Sequence, residues 1–538
     1  MKKIFVLFLT GIVGFSMSSC KKYLDVNSNP NQAISGTPEL VLPQAMTSVA
    51  NLTWGTSPGG TGALGSSYNF YGSQVAGYLA NGGGVSGWGA IISYNYAATD
   101  QQGLWNVSYD VATDVQYVID NTNGKPEYAQ FNAAAKVLKA YTFQRLVDQY
   151  GDLPYSQALK GAENVTPAYD KATDIYKALA DLLDESITIF KANPTASTAF
   201  RAADVMLASG SSNAAEITRW IQFANTLKLR LILRAGDKVA FTNKTFDAAG
   251  FLTEDALVNP GYGKVSGKQN PGWNNFTYNF AGAAVGAGAQ YVPTPFIMGF
   301  YDGKKLTDPA RADVTYTKGI TTATNQLGNQ LATAGRGISP NSWFKGDGKA
   351  GTVDNIGIFK GPSAPQPVIL AADSYFLQAE GVLKGLIAGN VQTNFDLGIQ
   401  QSYKYLYKNS TGTVTSGKQE VVDAKAYQAA NASSYLANIQ LASTAEQQLE
   451  AIITQKYIAL NMIFGDEAWN EYRRTGYPRN NVAVGASPVE TIISVATEST
   501  APDKLPTRLL YPSTEFTYNA ANVPGNIDKY STKIFWAK

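Results

Sequence analysis

The chain has 538 residues, with a single cysteine, no histidine and a formal net charge of +2. The missing imidazole excludes Ser-His-Asp and Cys-His nucleophilic sites, histidine-ligated zinc and histidine proton shuttles. Charged residues make up 16% of the chain, below the roughly 25% usual in soluble proteins, and the near balance of signs argues against nucleic acid as a partner.

The first element is a targeting segment. Residues 1–19 carry Lys2 and Lys3, an apolar run from Ile4 to Phe15, and the small residues Ser18 and Ser19. That order makes a secretory signal, and the run falls short of the about 20 apolar residues a spanning helix needs. Cys20 stands directly after the cut, so it is expected to carry lipid and hold the protein on a membrane. Cleavage takes two lysines from 43 basic residues and nothing from 41 acidic ones, so the mature chain is neutral. With its only thiol lipidated, the chain offers no disulfide and no thiolate metal site, and no cofactor is expected. Residues 20–45 read as a tether and residues 46–538 as a single domain.

Next comes a stretch without charge. Residues 40–99 contain no Asp, Glu, Lys or Arg, and Trp54, Tyr68, Phe70, Tyr71, Tyr78 and Trp88 alternate there with glycines. A second uncharged stretch, 269–301, holds Trp273, Asn274, Asn275, Phe276, Tyr278 and Tyr291. Glycine at this density predicts irregular loops instead of core elements. Between and after them the pattern is helical. Apolar residues at spacings of three and four predict helices over 104–121, 128–150, 214–235, 370–386, 393–407 and 445–464. Asp170 is expected to cap another helix that ends at Asn193-Pro194. Trp105 opens the first of these patterns and is assigned to core. Connectors 321–352 and 476–502 read as surface excursions.

Ordered blocks along the chain resemble the SusD/RagB family of nutrient-binding outer-membrane lipoproteins, its SusD-like branch in particular. They run from Tyr23-Leu24-Asp25 through DQYGDLPYSQAL (148–159), WIQFANTLKLR (220–230), TDPAR (307–311), DSYFLQAEG (373–381), QKYIAL (455–460) and EAWNEYRRTGYP (467–478) to RLLYP (508–512). The resemblance implies a mainly α fold, a scaffold of tetratricopeptide-like helical pairs carrying long irregular Gly- and aromatic-rich loops. It also implies a SusC-like TonB-dependent transporter as partner, on which the protein sits as a lid. Outer-leaflet display follows from the resemblance alone, because Lys21 and Lys22 stand where family members often carry acids.

Within these blocks Glu467, Glu471, Arg473 and Arg474 are read as an ion-pair network locking the last helix, and not as a catalytic acid pair. Asp148 and Asp152 are read as cap and turn residues. Ligand binding is assigned to the uncharged loops. Neutral sugars are held by aromatic faces and by amides that donate and accept. Trp54, Tyr68, Trp88, Trp273, Asn274, Asn275 and Tyr278 are the candidates. A glycan-capturing lid is favoured over a peptide-capturing lid, whose backbone pairing leaves no mark on composition. A surface enzyme ranks last, since a glycosidase needs facing carboxylates and these loops have none.

Overall fold

The computed structural model describes residues 36–55, 67–82, 87–208, 210, 212–285, 290–317, 324–330, 343–344 and 356–538. The signal segment, Cys20 and most of the 321–352 connector lie outside the described residues.

Helix α1 (Pro38–Trp54) starts with proline in its first turn, where the missing N–H costs nothing. Leu42, Ala45, Met46 and Val49 are buried, so residues 38–45 belong to the packed body and not to the expected tether. Helix α2 (Tyr68–Val75) lies inside the first uncharged stretch, and every one of its residues is buried. Then follow α3 (Gln102–Thr122), α4 (Ala129–Tyr150), α5 (Ala172–Ala192) and α6 (Asn213–Ala235). Each of these four packs on its neighbour in sequence, and α6 also touches α4. The short α7 (Pro271–Phe276) and α8 (Pro309–Thr315) precede the second helical layer. That layer comprises α9 (Ala371–Leu383), α10 (Val391–Tyr407), α11 (Glu420–Ala430), α12 (Ala445–Leu460) and α13 (Gly465–Thr475). Contacts of α6 with α9 join the two layers.

Most predicted helices are therefore present within a few residues of their expected ends. Two local readings change. Helix α4 shows no one-sided stripe: between Gln130 and Tyr150 all residues but Lys139 are buried, because α3, α5 and α6 flank it. A helix covered on all sides is buried all round. Asp170 does not cap α5. Its carboxylate accepts instead from the Tyr155 and Ser156 amides, and Asp152 accepts from the Ala172 N–H at 2.8 Å.

The sequence blocks converge on one buried ion network. Arg234 on α6 pairs with Asp148 on α4 and with Glu467 (2.5 Å) and Glu471 (3.2 Å) on α13. Lys456 on α12 bridges Glu471 (3.1 Å) and Asp373 on α9 (2.8 Å), and Arg230 meets Asp373 at 2.5 Å. Arg474 completes the circuit with Glu380 (2.7 Å) and Glu471 (2.5 Å). Asp148 also accepts from the Tyr176 hydroxyl and the Trp536 indole, so it is a network hub and not a helix cap. Five helices from distant parts of the sequence thus share one set of charges. Burial alone would raise the Glu467 carboxyl, but Arg234 and Arg230 outweigh it and hold it down at about 2.

One crossing depends on glycine. Gly72 on α2 and Gly465 at the start of α13 touch backbone to backbone. A Cβ on Gly72 would sit 2.0 Å from the Asp466 nitrogen, and one on Gly465 would sit 2.2 Å from the Ser73 nitrogen. Asn69 seals the crossing, donating to the Met462 carbonyl and accepting from the Gly465 N–H. Gly72 serves close packing.

Candidate functional site

The two uncharged stretches are neighbours in space. Strand β1 (Leu79–Asn81) belongs to the first. A strand from the second, Tyr291–Pro293, pairs with it antiparallel, with Leu79 opposite Pro293 and Asn81 opposite Tyr291. Their aromatic rings pack on each other. Trp88 meets Tyr291 edge-on at 5.2 Å, and Tyr291 meets Phe70 at 4.9 Å. Phe276 lies 5.6 Å from Trp54 and 5.3 Å from Phe359, and Trp54 meets Phe359 at 5.2 Å.

This arrangement corrects the picture of exposed stacking faces. Trp54, Tyr68, Trp88, Trp273, Asn275 and Tyr278 are all buried, with Trp88 the most accessible at 8%. Tyr68 lies under the Arg145 guanidinium, 4.3 Å from its ring, and its hydroxyl shares a hydrogen bond with Ser108. Trp273 is in α7 and packs on Tyr278 at 5.7 Å. The buried aromatics of the two stretches form one core, where a charged side chain would be buried unpaired.

Asn274 and Asn275 do reach a cavity. A hollow of about 260 Å³ opens between α1 and α7. Gln44, Thr47 and Asn51 line it from α1, and Gln269, Asn274 and Asn275 from the α7 side. The amides are ordered in series. Gln269 donates to Asn274 at 2.9 Å, Asn274 donates to Asn275 at 3.1 Å, and Asn275 donates to the Trp54 carbonyl at 3.0 Å. Asn270 accepts from the Trp273 N–H and so fixes the start of α7. The buried Gln269 Oε1 has no protein donor.

Tyr262 supplies the aromatic wall and escaped the sequence reading. It is half-buried, lines the cavity, and lies 3.5 Å through its hydroxyl from Asn51 Oδ1. Asn259 accepts from the Gly261 and Tyr262 amides in a tight turn that presents the ring. Burial pushes the Tyr262 phenol well above its usual range, so it is neutral across physiological pH. Lys264 and Lys268 put this turn outside the uncharged window, although its Asn-Pro-Gly-Tyr-Gly sequence was a signal for it. Lys268 is the only charged lining residue among those described. The volume lies below the roughly 300–1,000 Å³ of drug-sized sites, so one ring of a longer chain fits inside.

The fold is a mainly helical scaffold of paired helices carrying an aromatic loop layer. The family model SusD-like, described as starch-binding and associating with the outer membrane, matches residues 30–512, and the chain belongs to that family. Among curated proteins none matches significantly. A crystallised SusD homologue from Bacteroides uniformis is 22% identical and superposes with a TM-score of 0.65, covering 93% of this chain and 99% of its own. A chitin-binding SusD homologue from Flavobacterium johnsoniae is 20% identical with a TM-score of 0.61, covering 92% and 98%. A further homologue from Bacteroides fragilis is 20% identical with a TM-score of 0.61, covering 94% and 100%. Among the described residues no helix is long and apolar enough to cross a membrane.

Proposed function

We propose that the protein captures neutral glycan at the outer membrane and delivers it to a SusC-like TonB-dependent transporter, for which it serves as a lid. Lipid on Cys20 holds it to the membrane, facing the exterior, and it performs no chemistry on its cargo. The observation that carries the glycan reading is the amide series Gln269, Asn274 and Asn275 facing Tyr262 across an almost charge-free hollow. Amides both donate and accept, matching sugar hydroxyls, and a tyrosine ring covers the C–H face of a pyranose. Family membership supports the same reading, as does the chitin-binding relative. Within the candidate set, Asn274 is the direct contact, and the buried Asn275 orients it. Trp54, Tyr68, Trp88, Trp273 and Tyr278 support the loop layer from behind.

Calorimetry of the pure protein with chitooligosaccharides, maltooligosaccharides and unrelated peptides tests this. Glycan binding without turnover is the expected result. Binding of peptides alone replaces it with a peptide-capturing lid, and release of shorter sugars replaces it with an enzyme.

A further inference from the structure

A second cavity lies at the opposite chemical extreme. It measures about 440 Å³ and opens between the end of α13, residues 500–507 and residues 530–538. None of its lining residues touches the amide-lined hollow. Tyr472, Tyr530, Pro502 and Pro506 give it apolar walls, and Arg473, Lys533 and Lys538 line it with one acidic side chain, Asp503, which accepts from the Tyr472 hydroxyl and lies in the field of Lys533. The walls are held firmly before any ligand arrives. Thr507 donates through its amide and its hydroxyl to the Lys529 carbonyl, at 2.7 and 3.0 Å, and the Tyr530 hydroxyl donates to Tyr94 O. Lys538 spends its ammonium on the Thr475 carbonyl at 2.6 Å.

Arg473 is the unusual member. Its neighbour Arg474 is doubly ion-paired, but among the described residues Arg473 meets no carboxylate within ion-pair distance. Its Nη atoms donate to the carbonyls of Thr507 (2.9 Å) and Asp148 (2.7 Å) and to the Asn470 amide oxygen. Nε has no acceptor, and the guanidinium lies 3.6 Å from the centroid of the Trp469 ring. Its hydrogen bonds all go to neutral acceptors and its nearest opposing charge, the Asp148 carboxylate, is outside ion-pair distance, so an anion that enters the space beside it is favoured.

We propose that this cavity binds a small aromatic carboxylate, its ring against Tyr472, Tyr530 and Pro502 and its carboxylate toward Arg473 and Lys533. The apolar walls select a flat ring over a bare inorganic anion, and the cationic lining selects a carboxylate over its neutral isostere. The proposal does not depend on the glycan reading of the other cavity, with which it shares no lining residue.

The test titrates 4-hydroxycinnamate, its neutral analogue 4-hydroxycinnamyl alcohol, glucuronate and inorganic phosphate into the full protein. The acid is expected to bind at least about tenfold more tightly than the other three, a difference of one decade in Kd. Thr500→Trp, which fills the mouth from an exposed position, and Lys533→Glu should each weaken it by about tenfold or more. Asn274→Ala, in the other cavity, should leave it unchanged. Equal affinity for the alcohol, tighter binding of phosphate or glucuronate, no binding by about 10 mM, or normal binding by both cavity variants with wild-type melting temperatures would overturn the proposal.

Discussion

The charged helical scaffold and the uncharged loop layer solve the same problem in opposite ways. Both are buried. In the scaffold, Asp148, Arg230, Arg234, Asp373, Glu380, Lys456, Glu467, Glu471 and Arg474 are removed from water but ion-paired with one another. In the loop layer, Trp54, Phe70, Trp88, Phe276 and Tyr291 are removed from water by packing ring on ring. Charge content therefore reports the kind of burial, not its degree. Motif residues that look chemically active turn out to be joinery, and the aromatics described in the uncharged stretches turn out to be mostly core, with an amide-lined hollow at their edge.

The contrast is broken most severely from the scaffold side. Arg234→Leu leaves Asp148 and Glu467 buried without their main cation, and such a loss costs about 3–5 kcal/mol. Urea denaturation should show it, and a change below about 1 kcal/mol would mean that the network is solvated. Truncating the loop layer should cost nearly as much. Trp273→Ala removes a fully buried indole, a change worth about 3–5 kcal/mol in a core, whereas an indole on an open loop would give almost nothing. Gly72→Ala should cost about 1–3 kcal/mol or more, because the new methyl meets the Asp466 backbone at the helix crossing and not a side chain that can turn away.

A smaller effect is pH-dependent. Glu467 is held at about 2, below its usual 4.5, so its ionised form is favoured in the fold. Its contribution is fully present above the ordinary carboxylate range and is lost as the pH falls from there toward about 2. Glu467→Gln should therefore be less stable than wild type at pH 7, with a gap in urea midpoint that narrows in acid. A gap that widens in acid would reverse the assignment.

The helices were legible because a 3.6-residue apolar period needs no partner to be seen. α3, α5, α6, α10 and α12 all fall where it places them. The ion network was legible in residue type but not in partners, since Arg234 reaches Asp148 and Glu467 across the whole fold. Exposure of the aromatics was not legible. Trp54 beside glycine and asparagine has the same composition whether its face meets a sugar or Phe359. The close approach of Gly72 and Gly465 was not legible either, because nothing local reveals that the two lie against each other. Of the site, Asn274 and Asn275 were visible as uncharged amides, and Tyr262 was hidden by Lys264 and Lys268 in the same turn.

The most direct test of the central claim is calorimetry of chitohexaose against wild type and the Tyr262→Ala/Asn274→Ala double variant, at low and high salt. Loss of a stacked ring and an amide contact should weaken binding by about 1–3 kcal/mol. The wild-type affinity should be nearly the same at both salts, because the hollow offers almost no charge to screen. The melting temperature should hardly move, since neither side chain is core. Full-strength binding by the folded double variant, or a steep fall of wild-type affinity with salt, would contradict the claim that this hollow holds neutral glycan.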